Sequence, residues 1–159
     1  MEIYDSLLKA VQEQYDLVRT LKKSTWGEVF LVRHRSSGTR YIFRYFQGNS
    51  EVYQMLVDIS CPNLPQIMEV GEKEGKTVLL EEFVQGDTLG EILEGGSLTV
   101  VEAKQITRQI CSALWVLHSM GVVHRDVKPD NVIIRGKEAV LIDFDASRIY
   151  KHETDGDTK

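Results

Sequence analysis

Two polar strings separated by a short β-rich stretch constrain the fold of this chain more than any other feature of its sequence. Residues 124–131 read HRDVKPDN, and residues 143–145 read DFD. Between them, two short apolar β runs lie on either side of Gly136, a residue that permits a tight turn. The sequence therefore predicts a rigid hairpin, with Asn131 just before its first strand and Asp143 just after its second.

The eight residues 124–131 resemble the catalytic loop of eukaryotic-like (bacterial-type) Ser/Thr protein kinases, and residues 143–145 stand where that family has its Asp-Phe-Gly motif. The resemblance implies an α+β, protein-kinase-like fold, with an antiparallel β-sheet small lobe and the start of a mainly helical large lobe. It also implies a phosphotransferase that binds ATP and Mg²⁺ and moves the ATP γ-phosphate to a Ser or Thr hydroxyl of a protein substrate.

The resemblance assigns roles to four polar residues. Phosphoryl transfer requires an acceptor hydroxyl held in line, metal ions that neutralise the phosphates, and cations where charge develops. Asp126 would accept the hydroxyl proton, and Lys128 would reach the transferring phosphate. Asn131 and Asp143 would be ligands of Mg²⁺, which prefers oxygen donors.

The same resemblance divides the chain into three parts: an N-terminal helix over 1–14, a small lobe over 15–84, and part of a large lobe over 85–159. Only 16 residues follow Asp143. We therefore expect the chain to be truncated within its activation segment, and we expect at most slow phosphoryl transfer from it.

Apolar periodicity predicts the helices and strands. Helices are expected over 2–14, 51–59 and 100–120, and strands over 15–22, 27–34, 39–46, 67–72 and 76–83. The longest helix begins at a Thr99–Glu102 capping box. Its apolar stripe consists of Ile106, Ile110, Ala113, Leu114 and Leu117. Because the small lobe cannot cover all of this stripe, we expect an exposed patch that causes homodimerisation, exchange of elements or loose packing.

The turn between the first two strands departs from the family pattern Gly-x-Gly-x-x-Gly-x-Val. Lys22 and Ser24 stand at the first two glycine positions, and only Gly27 and Val29 match. The resemblance implies that the backbone at Gly27 covers the phosphates and that Val29 packs on the adenine ring. Lys22, Lys23 or the Ser24 hydroxyl could contact phosphate instead, and an ordinary hairpin without a ligand role fits the stretch as well.

Arg44 occupies the position of the family's third-strand lysine, which links the ATP phosphates to a glutamate of the following helix. Arginine keeps the charge, but its planar head is larger. We choose Glu51, at the start of the helix over 51–59, as the partner of Arg44. The alternatives are a surface arginine on an edge strand and a solvated Glu51 in the first turn of its helix.

The segment EFVQG resembles the family's link between the lobes. The resemblance implies that backbone groups of Glu82 and Val84 bind the adenine edge and that Asp87 or Thr88 meets the ribose hydroxyls. It also implies that Ile133 closes the other face of the adenine site. Glu81 would then face the pocket, an unusual place for a carboxylate, and would either pair with a basic residue or turn away.

Asp145 replaces the glycine of the Asp-Phe-Gly motif. Because left-handed backbone geometry suits aspartate less well than glycine, we expect Asp145 to restrict the movement of this segment. Metal binding by Asp143 need not be lost.

Charge and hydropathy argue against several classes of function. The net charge of −5 disfavours a general nucleic-acid or membrane-surface binder. No apolar run approaches the ~20 residues that a membrane span needs. The acidic N-terminus does not resemble a signal peptide, and Cys61 and Cys111 are not in metal-ligand spacing. We expect a cytoplasmic protein.

Two alternatives to an active protein kinase stay open. A pseudokinase that binds nucleotide or a partner is favoured by Arg44, by Asp145 and by the missing loop glycines, and it is opposed by the intact Asp126 and Lys128. A small-molecule kinase of the same fold is the second alternative, and Lys128 followed by Pro129 argues against it.

Overall fold

The computed structural model describes residues 2–48 and 50–150. Its α-helices are α1 (Ile3–Gln14), α2 (Glu51–Leu56), α3 (Leu89–Glu94) and α4 (Val100–Ser119). Its longer strands are β1 (Tyr15–Lys23), β2 (Gly27–His34), β3 (Arg40–Gln47), β4 (Ile67–Lys73) and β5 (Lys76–Glu82). Its shorter strands are β6 (Asp87–Thr88), β7 (Val122–Val123), β8 (Val132–Arg135), β9 (Glu138–Leu141) and β10 (Arg148–Ile149).

The five longer strands form one antiparallel sheet in the order β1-β2-β3-β5-β4. Successive side chains along a strand point to opposite faces of a sheet. In β5, Val78 and Leu80 accordingly pack in the cluster beneath α1, whereas Leu79 packs in the main core with α2 and α4. Both faces of the central strands are therefore covered, and the α+β class expected from the sequence is confirmed.

Helix α1 lies on the outer face of this sheet. Its buried side chains Tyr4 and Leu7 pack with Phe43 and neighbouring apolar residues of the sheet. The backbone of α1 approaches β4 so closely that a Cβ atom at Gly71 would lie 2.5 Å from the amide nitrogen of Tyr4. Because of this close approach, the amphipathic helix α1 forms a tightly packed layer of the core.

Helix α4 has the predicted capping box. The Thr99 hydroxyl accepts from the Glu102 N–H, and the Glu102 carboxylate accepts from the Thr99 N–H, both at 3.1 Å. The N–H and hydroxyl of Thr99 hold the pKa of Glu102 below its usual value.

Among the described residues, no helix is long and apolar enough to cross a lipid bilayer.

The expectation that the apolar stripe of α4 is exposed is wrong. Leu117 is fully buried with Val122 and Leu141, and Ile106 and Ile110 are half-buried against the same core. The β8–β9 hairpin and β7 provide enough apolar surface to cover the stripe. The structure therefore does not support homodimerisation through it, and the large apolar side chains that α4 exposes are Val100, Val101 and Trp115.

Helix α2 ends at Leu56, three residues earlier than predicted. The N–H of Val57 donates to Gln54 at 3.4 Å, and the N–H of Ile59 donates to Leu56 at 3.1 Å. These bonds span three residues, as in a tightened final turn, instead of the four of an α-helix. Periodicity does not reveal where a helix changes to such a turn.

Candidate active site

The loop over residues 124–131 connects β7 to β8 and is anchored from within by His124. The His124 imidazole is buried, its Nε2 lies 2.9 Å from the carbonyl oxygen of Ile142, and its Nδ1 accepts from the N–H of Asp126 at 3.2 Å. Since Nδ1 is the acceptor, Nε2 carries the proton. Arg125 lies between the two anchored residues in the left-handed region, with φ 71°. The histidine thus fixes the position of Asp126 relative to the end of β9.

Asp126, Asn131 and Lys128 form one group, in which Asn131 is hydrogen-bonded to Asp126 and Lys128 is ion-paired with it. The Asn131 side-chain amide donates to the backbone oxygen of Asp126 at 2.9 Å and to its carboxylate Oδ2 at 3.0 Å. The Lys128 ammonium lies 3.6 Å from the same Oδ2. Because the amide nitrogen of Asn131 is turned toward Asp126, the amide oxygen is the atom that it can offer to a cation. The Asp126 carboxylate is 38% exposed and accessible to a substrate hydroxyl.

Asn131 and Asp143 stand at the same end of the β8–β9 hairpin. Val132 pairs with Leu141, and the N–H of Ile142 donates to the Asn131 carbonyl at 2.9 Å. The structure therefore contains the hairpin that the sequence predicts. Asp143 has φ 63°, and its Oδ1 accepts from the N–H of Asp145 at 3.1 Å.

The oxygen donors at this hairpin end fit a magnesium ion that arrives with a nucleotide. Mg²⁺ in such sites is held by one or two protein side chains together with phosphate oxygens, and seldom by a cage made of protein alone. Asp143 supplies one carboxylate and Asn131 one amide oxygen. Within residues 2–48 and 50–150, no group of three His, Cys, Asp or Glu side chains could hold a metal ion by itself.

Arg44 is paired with Glu81. The partner predicted from the sequence was Glu51. Arg44 Nε donates to Glu81 Oε1 at 2.6 Å, and the two side chains are 12% and 5% exposed. In the β3–β5 register, Glu81 lies opposite Ile42, so it is the diagonal neighbour of Arg44 on the same face. A register argument on the predicted strands would have found this pair.

Burial and mutual attraction shift the pKa values of both members of the Arg44–Glu81 pair. Burial alone would lower the pKa of Arg44, but the Glu81 carboxylate raises it above its usual value. Burial raises the pKa of Glu81, although Arg44 opposes the change. The arginine is therefore a permanent cation, held from β5 instead of from α2.

Glu51 is an exposed residue in the first turn of α2. Tyr53 of the same helix is buried, and its ring packs against Phe46 and Phe144. Burial raises the pKa of the Tyr53 hydroxyl well above its usual value. This hydroxyl donates to Asp145 Oδ1 at 3.0 Å, so α2 is tied to the 143–145 segment through Tyr53.

A cavity of roughly 790 Å³ lies between the β1–β2 turn, α2 and residues 144–149. Four predicted site residues line it: Gly27, Val29, Arg44 and Glu51. Lys22 and Ser24, which replace the family glycines, line it as well. A Cβ atom at Gly27 would lie 2.4 Å from the carbonyl oxygen of Tyr45, so close packing of β2 on β3 already requires glycine there.

Val29, expected to pack on the adenine ring, lines this cavity, but the other residues expected to bind the adenine and the ribose, Glu82, Val84, Asp87 and Ile133, do not. Glu82 donates its N–H to the Gln66 carbonyl at 2.8 Å, and its carboxylate accepts from the Gln66 N–H at 3.0 Å. Val84 is buried directly after β5. Asp87 and Ile133 lie on the paired strands β6 and β8, but Asp87 is opposite Ile134 and Ile133 is opposite Thr88. Because successive side chains alternate between faces, Asp87 and Ile133 point to opposite faces of this strand pair.

Asp145 does not adopt the left-handed geometry expected at the glycine position. Among the described residues other than glycine, positive φ occurs at Glu74, Arg125 and Asp143. The backbone therefore accepts a side chain at 145 without left-handed strain, and the expectation that Asp145 restricts the movement of this segment stays a prediction. The sequence could not show this geometry, because the motif does not say which of its residues turns.

The chain belongs to the protein kinase family, since the family model for the protein kinase domain matches residues 15–159. It is 29% identical over 162 residues to the serine/threonine-protein kinase pkn2 of Myxococcus xanthus, covering 92% of this chain and 19% of that protein. It is 30% identical over 146 residues to a probable myosin light chain kinase of Dictyostelium discoideum, covering 85% and 47%. It is 26% identical over 158 residues to the serine/threonine-protein kinase D of a Synechocystis strain, covering 86% and 30%. The chain therefore spans between about a fifth and about a half of the length of these relatives.

Proposed function

We propose that this chain is the ATP- and Mg²⁺-binding part of a Ser/Thr protein kinase domain, which transfers the ATP γ-phosphate to a hydroxyl of a protein substrate. Residues 15–84 would be the small lobe, and residues 85–159 the first part of the large lobe. The observation that carries the proposal is the Asp126 carboxylate, hydrogen-bonded to Asn131 and ion-paired with Lys128, at the hairpin end that also holds Asp143. The two bacterial relatives described above are serine/threonine-protein kinases by name, which supports the substrate class.

In this proposal Asp126 accepts the proton of the acceptor hydroxyl, because Asn131 holds its carboxylate and leaves it accessible. Lys128 places a positive charge beside that carboxylate, where it can stabilise the transferring phosphate. Bound Mg²⁺ would neutralise the phosphates, and Asn131 and Asp143 would hold it. The nucleotide would contact Gly27, Val29, Arg44, Glu82, Val84, Asp87 and Ile133.

Thermal denaturation with and without Mg·ATP tests this proposal. A ligand at 100 times its Kd stabilises the folded state by about 2.7 kcal/mol, which raises Tm by roughly 5–10 °C in a chain of this size. Asp143→Asn should remove the magnesium-dependent part of the shift, because it removes a charged ligand. Asp58→Asn, the same change at an exposed position of the α2–β4 connection, should keep the whole shift. Absence of any shift at millimolar Mg·ATP would contradict nucleotide binding.

A nucleotide-binding pseudokinase is the second candidate, and one observation favours it. The Nε of Arg44 is committed to Glu81 at 2.6 Å, so this side chain reaches phosphate only with its outer nitrogens. ATP hydrolysis separates the candidates. If the chain binds Mg·ATP but hydrolyses it no faster than its Asp126→Asn variant, the second candidate is preferred.

A further inference from the structure

The carboxylate of Asp145 is a meeting point for three elements of the fold. The Tyr53 hydroxyl of α2 donates to Asp145 Oδ1 at 3.0 Å, and Arg44 Nη1 of β3 lies 3.9 Å from the same oxygen. From β1, the Lys22 ammonium lies 3.7 Å from Asp145 Oδ2. A glycine at this position could make none of these contacts.

The three contacts differ in strength. Lys22 and Asp145 are both about half exposed, so solvent screens their attraction and the pair is weak. Tyr53 is buried, and its hydroxyl donates to a charged acceptor, which is a stronger class of hydrogen bond. The contact with Tyr53 therefore dominates the hold on Asp145.

Asp145 is coupled directly to the carboxylate of Asp143. Its own N–H donates to Asp143 Oδ1 at 3.1 Å. Phe144, between the two, is buried, and its ring packs edge-on against Tyr53 and His124. A fixed Asp145 side chain thus restricts the rotation of the Asp143 carboxylate, and Phe144 holds the intervening backbone.

We propose that Asp145 is a positioning residue, which orients Asp143 toward Mg²⁺ by tying the 143–145 segment to α2 and β3. This inference rests on the proposed function and adds a residue to it. The segment is held by a side chain at the position where the family uses a glycine. The family glycine should therefore weaken metal-dependent nucleotide binding in this chain.

The prediction opposes the effect expected from charge alone. Removal of a negative charge beside the phosphates should tighten the binding of an anionic nucleotide. If Asp145 orients Asp143, its removal should instead weaken the binding of Mg·ATP. Asp145→Gly should raise the Kd for Mg·ATP at least about tenfold, the effect expected when a hydrogen bond to a charged group is lost. Magnesium-free ATP, measured in EDTA, should bind no more weakly than to the unchanged chain.

Two further variants identify the contact that matters. Tyr53→Phe keeps the aromatic packing and removes only the hydroxyl, so it should weaken Mg·ATP binding in the same direction even if Asp145→Gly folds poorly. Asp145→Asn keeps an oxygen acceptor for Tyr53 and should lie between the unchanged chain and Asp145→Gly. Asp58→Asn, a surface charge change outside this network, should behave as the unchanged chain does.

Calorimetric titration with Mg·ATP and hydrogen exchange without nucleotide together decide the question. Exchange of the amides of 143–149 in the nucleotide-free Asp145→Gly chain should be faster by at least about fivefold, because a local restraint is lost. If the unchanged chain fails to bind Mg·ATP, the proposed function is wrong, and faster exchange still supports the restraint. If the unchanged chain binds and both Asp145→Gly and Tyr53→Phe bind equally well or better, the inference is overturned.

Discussion

Removing one member of the buried Arg44–Glu81 pair should destabilise the fold far more than removing one member of an exposed ion pair. At 2.6 Å, the attraction between the two charges is about 6 kcal/mol at an effective dielectric constant of about 20. Desolvation of the two ions costs about as much, so the pair as a whole contributes little net stability. A single substitution leaves the other charge buried without its partner, which costs roughly 3–5 kcal/mol.

The matching experiment is a double-mutant cycle of Arg44→Met, Glu81→Leu and the double variant, measured by urea unfolding followed by circular dichroism. Each single change should lower the free energy of unfolding by about 3–5 kcal/mol, and the double change by much less than the sum. Lys9→Met is the matched control, because the Lys9–Glu13 pair is 3.9 Å apart and about 60% exposed. Its removal should cost no more than about 0.5 kcal/mol. Additive costs for Arg44→Met and Glu81→Leu would refute the reasoning.

Two further predictions concern packing and pH. Gly27→Ala should lower the urea midpoint by the equivalent of about 1–3 kcal/mol, because its Cβ would meet the Tyr45 carbonyl oxygen at 2.4 Å; Gly96→Ala, with no atom within 4 Å of the new Cβ, should be nearly neutral, and equal effects would contradict the packing argument. The hydrogen bond from Arg35 lowers the pKa of Asp16 in the folded state, so its stabilisation is present above the unfolded pKa of about 3.9 and is lost as pH falls through the folded pKa. Asp16→Asn should therefore reduce the urea midpoint at neutral pH and have no effect near about pH 2, and an equal loss at both pH values would be inconsistent with this linkage.

The sequence was most informative where a pattern repeats or a motif is dense. The five longer strands and α4 begin and end within one or two residues of their predicted bounds, because alternation and capping are local signals. Strands β7 and β10 were not predicted, since two residues carry no period. Their existence depends on a pairing between distant parts of the chain.

At the candidate site, the sequence indicated the catalytic loop but not the partners of its unusual residues. The choice of Glu51 for Arg44 followed the order of elements in the family, whereas the Glu81 carboxylate comes from a neighbouring strand. Likewise, the sequence analysis assigned no role to Tyr53, whose bond to Asp145 joins residues 92 apart. The Tyr53–Asp145 contact leaves no periodic trace in the sequence, so it was visible only in the structure.

The close packing of α1 against Gly71 shows that the folded unit extends beyond the segment that matches the protein kinase family. The family match begins at Tyr15, but the apolar layer that completes the sheet begins at Ile3. A protein cut at the homology boundary would present Phe43 and Val78 to water on a broad, flat β surface. Such a surface invites association between sheets, so the boundaries used for expression decide whether this kinase segment behaves as an isolated molecule.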